Sequence, residues 1–177
     1  MTDAEFQAAF DQHKDAVYRF AWRMSGSAAA AQDITQDVFV GLLRYPDRFD
    51  PARGALRAFL LGIARNLAFK HWQKEHRFEP LDDEQPGVAE PVDLERGEIG
   101  DIVGRAVRAL RPLQREVVIL AEYEGLTLAE IARAVDADVG TVKSRLHRAR
   151  ENLRRTLAPL RSRQQTTDVR TVWTTES

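Results

Sequence analysis

The chain has 177 residues, 44% of them apolar and 30% charged, with 26 Lys or Arg against 27 Asp or Glu and no cysteine. That is enough apolar content for one domain or two small ones, and the lack of cysteine excludes disulfide scaffolds, thiolate zinc sites and cysteine nucleophiles. The acidic start Met1-Thr2-Asp3-Ala4-Glu5 leads into no apolar run of the length that secretion or a membrane span requires, so the expectation is a soluble, cytoplasmic protein.

The net charge of −1 is a cancellation. From Arg44 to Arg77 eight basic residues face three acids, and from Val139 to Arg163 eight Lys or Arg face only Glu151. Between these blocks, Phe78 to Asp101 carries nine acids against Arg96. Two basic segments flanking an acidic one point to a polyanionic partner; solvated helix faces are the plainer alternative.

The elements read as helices throughout. Phe6, Phe10, Val17, Phe20, Ala21 and Met24 recur at helical spacing until Ser25-Gly26-Ser27 interrupts. A second helix runs from Ala28 to Arg44 and stops at Tyr45-Pro46-Asp47. A third spans Ala55 to about Glu75, with Leu56, Leu60, Ile63 and Leu67 as its expected core stripe. Residues 78–94, with Pro80, Pro86, Gly87 and Pro91 among many acids, read as a flexible linker. Helices follow over Leu94–Leu110, from Pro112 to Tyr123, over Leu128–Val135 behind the capping box of Thr127 and Glu130, and from Val139 to about Leu157. The Thr-rich tail, 161–177, shows no periodicity; disorder and a regulatory contact through the isolated Trp173 both fit it. The fold class expected is all-α, with helical modules over 6–77 and 95–160.

The last two helices flank Asp136-Ala137-Asp138, with Asp138 where an N-cap is needed. From Val139 onward, Val142, Leu146, Ala149 and Leu153 fall on one stripe. Thr141, Ser144, Arg145, Arg148, Asn152 and Arg155 gather opposite it, with Lys143 and His147 beside them. An apolar stripe backed by donors and fixed positive charge is what a recognition helix in the major groove requires. Arg145 and Arg148 suit a guanine edge or a phosphate equally, while Lys143, Arg150 and Arg154 suit phosphate.

The run Leu110-Arg111-Pro112-Leu113-Gln114-Arg115-Glu116-Val117, then Gly125-Leu126-Thr127-Leu128-Ala129-Glu130-Ile131-Ala132, then Gly140-Thr141-Val142-Lys143-Ser144-Arg145-Leu146-His147-Arg148-Ala149-Arg150, resembles region 4 of sigma-70 family initiation factors, nearest to the extracytoplasmic-function (ECF) subfamily. The resemblance implies binding to the promoter −35 element and contact with a polymerase flap. Asp136 stands where the turn usually carries Gly, a modest cost because Asp tolerates left-handed backbone better than most residues.

In the second helix Asp33, Gln36, Asp37 and Val40 share a face opposite Ile34, Val38 and Leu42. A metal or acid/base pair and a solvated face are both readings of the two carboxylates, although neither a histidine nor a third acid accompanies them. The segment is similar to the D-x-x-Q-[ED]-x-F motif with which sigma region 2 grips the clamp coiled coil of polymerase, which implies that Asp33, Gln36 and Asp37 meet basic residues there.

The third helix sets Phe59, Asn66, Phe69 and Lys70 on one face, with Arg53 and Arg57 at its start. Rings that stack unpaired bases, amides and cations suit single-stranded DNA, although for Phe59, Phe69 and Trp72 taken singly a place in the core is the plainer reading. Ile63-Ala64-Arg65-Asn66-Leu67-Ala68 resembles the region 2 segment that reads and melts the −10 element. The resemblance adds Arg65 and Lys74 to the −10 candidates. Many relatives have Trp at the place of Phe59, and an acid or Arg at that of Lys70-His71, which leaves the −10 preference open.

Taken together these features imply a sigma factor that binds core RNA polymerase, recognises −35 duplex and −10 single strand, and promotes melting. It would use no cofactor, no metal and no small-molecule substrate. The family further implies an anti-sigma partner, and a linker threading the polymerase nucleic-acid path. The rival reading is a stand-alone helix-turn-helix regulator of duplex DNA. An enzyme is disfavoured because His13, His71, His76 and His147 lack ligand spacing and neither a Ser/His/Asp set nor a phosphate-cradling Gly loop is present.

Overall fold

A computed structural model describes residues 1–76, 92–94 and 97–172, and these contain seven α-helices, two short 3-10 turns at Pro46–Arg48 and Pro51–Arg53, and no strand. The expected linker falls mostly outside the described residues, and so does its proposed path. α1 (Asp3–Ser25), α2 (Ala28–Arg44) and α3 (Leu56–Glu75) form the N-terminal group. α4 (Ile99–Ala109), α5 (Pro112–Val118, continued by a π turn at Ile119–Tyr123), α6 (Leu128–Ala134) and α7 (Val139–Val172) form the C-terminal group.

Local chemistry sets the boundaries. Thr2 caps α1 in a reciprocal box with Glu5, and Ser27 Oγ caps α2 by accepting from the Ala30 amide at 3.2 Å. Gly26 closes α1 at φ 70°, a conformation glycine adopts without steric cost. The Thr127–Glu130 box starts α6, and Asp138 Oδ1 accepts from the Thr141 amide at 2.8 Å at the head of α7. Asp136 has φ 52°, the left-handed backbone expected of the turn residue.

Apolar faces then assemble. Val17, Phe20, Ala21 and Met24 of α1 bury against Ile34, Val38, Phe39 and Leu42 of α2, with Phe10 edge-on to Phe39 at 4.9 Å between centroids. In the C-terminal group Leu110, Val117, Ile119, Leu120, Ile131, Val142, Leu146 and Ala149 are buried. The two groups share one continuous core: α1 packs on α4 and α5, and α3 on α6.

Two expectations need correction. The buried stripe of α3 is Leu60, Leu61, Ala64, Ala68 and Phe69, while Leu56, Ile63 and Leu67 are half-buried at its edge. α3 is covered on two sides, by α1 and α2 and by α6, so a single amphipathic stripe does not describe it. The segment expected to be a loose tail continues α7 through Pro159 to Val172. Extending an existing helix avoids the nucleation cost, and residues 160–172 contain neither Gly nor Pro. Trp173 lies outside the described residues.

His13 of α1 is 8% exposed, and burial together with the nearby Arg57 charge holds its imidazole below the ordinary value of 6.5. The folded chain therefore binds fewer protons here than the unfolded chain, so stability is full above 6.5 and declines as pH falls toward the depressed value. Urea titrations across this range are expected to show that decline, and His13→Leu to flatten it. An unchanged midpoint in the unsubstituted chain would contradict the assignment.

Candidate nucleic-acid interface

α2 presents Asp33, Gln36 and Asp37 to solvent with Val40 half-buried beside them, while Ile34, Val38 and Leu42 point inward. No ion pair occupies these carboxylates among the described residues. The same ridge ends in Leu43 and Tyr45, which are 54% and 53% exposed, and Arg48 lies 4.5 Å from the Tyr45 ring centroid. Leu43 sits three residues beyond Val40, so helical spacing alone could have added it to the candidate face. Among the described residues no three His, Asp or Glu side chains cluster as a metal site.

On α7, Lys143, Ser144, His147, Arg154 and Arg155 are exposed and Thr141 and Arg148 half-buried. Ser144 Oγ donates to the Gly140 carbonyl and Thr141 Oγ1 to Asp138 Oδ2, so both hydroxyls are fixed within the first turns. Arg150 is held by Glu122 at 2.5 Å.

Two expected DNA contacts on α7 are turned inward instead. Asn152 is 3% exposed and donates Nδ2 to Oε1 of the buried Gln114 at 2.7 Å, while its Oδ1 accepts from Arg155. Arg145 reaches Glu116 at 3.4 Å, and both lie in the seam between α7 and α5. A position that reads as DNA-facing by periodicity becomes structural when the neighbouring helix offers it a buried polar partner.

α3 shows the same division. Asn66, Lys70, Lys74 and the preceding Arg53 are exposed, and Phe59 is half-buried with its ring 5.5 Å from that of Phe49. Phe69, expected on the strand-binding face, belongs to the core at 6% exposure, capped by the Arg65 guanidinium 4.4 Å from its centroid. Arg65 donates to Glu116 at 2.6 and 3.3 Å, and Arg57 donates to Glu124 Oε2 at 2.6 Å and to its carbonyl at 2.5 Å. Phe59 and Asn66, with Phe49, Arg53 and Arg133, line a cleft of about 450 Å³ between α3 and α6.

Sequence reasoning missed Glu116 and Glu124. Both are buried, at 0% and 3% exposure, and both receive arginines from the N-terminal group. No sequence signal marks an acid as buried when its partner lies 51 or 67 residues away.

The family model for sigma-70 region 2 matches residues 9–78, and that for sigma-70 region 4 matches residues 100–153. The chain belongs to the sigma-70 family. Among its relatives are ECF RNA polymerase sigma factors. SigE of Mycolicibacterium smegmatis is 34% identical over 154 residues, covering 83% of this chain and 59% of SigE. SigW of Bacillus subtilis is 32% identical over 169 residues, covering 88% of this chain and 90% of SigW. This chain thus spans about 60% of the length of SigE. A solved structure of the sigma factor RpoE in complex with the anti-sigma factor NepR from Bartonella quintana superposes with a TM-score of 0.70 at 26% identity, covering 87% of this chain and 97% of that one. Region 2 contains the α2 and α3 candidates, and region 4 contains Gln114, Glu116, Glu124 and α7 as far as Leu153.

If Asn152 is a structural residue, Asn152→Ala removes the buried hydrogen bond from its Nδ2 to Gln114 Oε1, at a cost of about 1–3 kcal/mol. Chemical denaturation is expected to register that loss, and Gln114→Ala to cost a similar amount. A variant of unchanged stability that bound duplex DNA poorly would return Asn152 to the DNA-facing set.

Proposed function

We propose that this chain is an alternative sigma factor of the ECF type, working in the cytoplasm as a non-catalytic subunit of RNA polymerase. Its partners are core polymerase and promoter DNA, with an anti-sigma factor as the family counterpart that restrains it. Core polymerase is gripped through Asp33, Gln36, Asp37 and Val40, and Leu43 extends that contact with an apolar end. The observation that carries this reading is the α2 ridge itself: acids exposed and, among the described residues, without ion-pair partners, on a helix whose opposite side is fully packed. Exposed carboxylates of this kind suit a basic surface on a partner.

Duplex −35 DNA is met by α7. Lys143, Ser144 and His147 stand outward near its N-terminal end, the part of a recognition helix nearest the base edges. Thr141, Arg148 and Arg155 flank them. Phosphate contacts supply affinity and register, and base edges supply selection. The −10 strand is captured on α3, where Phe59 offers a stacking ring, Asn66 an amide, and Arg53, Lys70 and Lys74 cations. Arg57 and Arg65 join when released from their carboxylates. A surface that binds unpaired bases and not the duplex shifts the equilibrium toward the melted promoter, and this requires no bond making by the protein. The modules doing this work are 6–77 and 95–160, joined by the linker 78–94.

The test is reconstitution. Core polymerase with the full chain is expected to give discrete transcripts from fragments of the source genome, and Asp33→Lys with Asp37→Lys to abolish both transcription and co-purification with polymerase. Duplex binding without polymerase association would favour the stand-alone regulator. For the assembled complex, Lys143→Ala is expected to lower the slope of log affinity against log salt by about 1. An unaltered slope would remove Lys143 from the phosphate contacts.

A further inference from the structure

The cleft of about 450 Å³ between α3 and α6 falls within the range of about 300–1,000 Å³ that small-ligand sites occupy. Local chemistry fixes one of its walls. Pro46 and Pro51 each open a short 3-10 turn, and Asp50 Oδ1 accepts from the Ala52 amide at 2.9 Å. The Arg53 and Gly54 amides donate to the Asp50 and Pro51 carbonyls at 3.0 and 3.3 Å. Gly54 has φ 146°, and a Cβ there would stand 2.7 Å from Arg133 Nη1, so glycine at this place admits the α6 guanidinium. Arg133 in turn donates to the Arg53 carbonyl. The rings of Phe49 and Phe59, both half-buried, meet at 5.5 Å with a tilt of 47°, and Asn66 is exposed two turns beyond Phe59 on α3.

Arginines and acids both line this cleft, but they are not equally available. Asp50 is tied to the Ala52 amide, and Glu130 Oε2 accepts from the Thr127 amide at 2.8 Å. Arg48, Arg53 and Arg133 are exposed, and among the described residues no ion pair holds any of them. Three guanidinium groups therefore face one uncommitted acid, the exposed Asp136.

We propose that this cleft binds a free nucleoside phosphate, with the base against Phe49 and Phe59, its polar edge at Asn66, and the phosphate on Arg53 and Arg133. An aromatic wall accepts any base by its π face, and a guanidinium fork matches phosphate oxygens. Arg133 comes from region 4 and the other four from region 2, so a bound nucleotide spans both modules and stabilises the arrangement in which both walls are present. Phe59, Asn66 and Arg53 are also assigned to the −10 strand, so nucleotide and strand exclude one another. That consequence rests on the −10 reading, whereas the site itself does not. Strand capture is thereby coupled to the concentration of free nucleotide.

The test is calorimetric titration of the full chain with ADP and with GDP. Saturable binding at one site is expected for at least one of them, with its nucleoside alone and inorganic phosphate alone each about tenfold weaker or more. Arg133→Ala, at an exposed position, is expected to weaken binding about tenfold through loss of a charge-assisted contact. Phe49→Ala is expected to weaken it by a similar factor through loss of stacking, and Lys14→Ala, on α1 and outside the cleft, to leave it unchanged. Circular dichroism establishes that each variant is folded. No saturable binding at millimolar nucleotide overturns the proposal. So does binding that folded Arg133→Ala and Phe49→Ala both leave intact, or that inorganic phosphate alone matches, which is an adventitious ion only. A fluorescent single-stranded oligonucleotide of mixed sequence reads the consequence: its affinity is expected to fall as nucleotide saturates the chain. Cleft binding with unchanged strand affinity upholds the site and counts against the −10 assignment, which transcription with core polymerase tests separately.

Discussion

A carboxylate taken out of water must be met by cations or it destabilises whatever contains it. Glu116 is fully buried on α5, and it is met from both directions: Arg65 reaches it from α3 and Arg145 from α7. That one side chain ties the recognition helix to its own module and ties the two modules to each other. Glu124 repeats the arrangement at the end of the π turn with Arg57 and Arg23. Much of the rest follows, including which arginines of α3 lie against protein and which side of α7 remains outward. Arg145 in this light positions α7, and the outward contacts proposed for that helix are left to the exposed Lys143, Ser144 and His147.

α3 illustrates why the constraint reaches function. One side of it is core, one side meets region 4, and what is left is a strip carrying Asn66, Lys70 and Lys74 beside the half-buried Phe59. The residues proposed to hold unpaired DNA are therefore divided between that strip and the intramolecular seam. The α2 ridge proposed to meet polymerase shares none of its residues with this seam, so the two proposed functions can be separated by mutation.

Much of this was legible in the sequence wherever local chemistry decides the outcome. The bounds of α2, Ala28 to Arg44, follow from the Ser25-Gly26-Ser27 interruption before it and Tyr45-Pro46 after it, and the structure has the same residues. The Thr127–Glu130 box, the Asp138 cap and the left-handed Asp136 were equally readable, because each is settled within four residues. The family was legible through three short runs in region 4 and two in region 2. What periodicity could not give was the fate of polar residues on packed helices. It assumes that polar means outward, and Asn152, Gln114, Glu116 and Glu124 all break that assumption through partners distant in sequence. Phe69 fails in the opposite sense, as an aromatic on a face that a second layer of helices covers. The reach of α7 to Val172 was missed because the residues beyond Leu157 carry little apolar period, while an established helix needs little to continue.

The central claim is that α3 of this chain receives the unpaired promoter strand within a polymerase complex. The direct measurement is a photo-crosslinker placed at Asn66, an exposed position on that strip, in a complex of the full chain, core polymerase and a promoter mapped from its own transcripts. Crosslinks are expected to fall on the non-template strand within the −10 element, and to appear only under conditions in which the promoter is melted. Crosslinks confined to duplex DNA, or to polymerase alone, would contradict the claim.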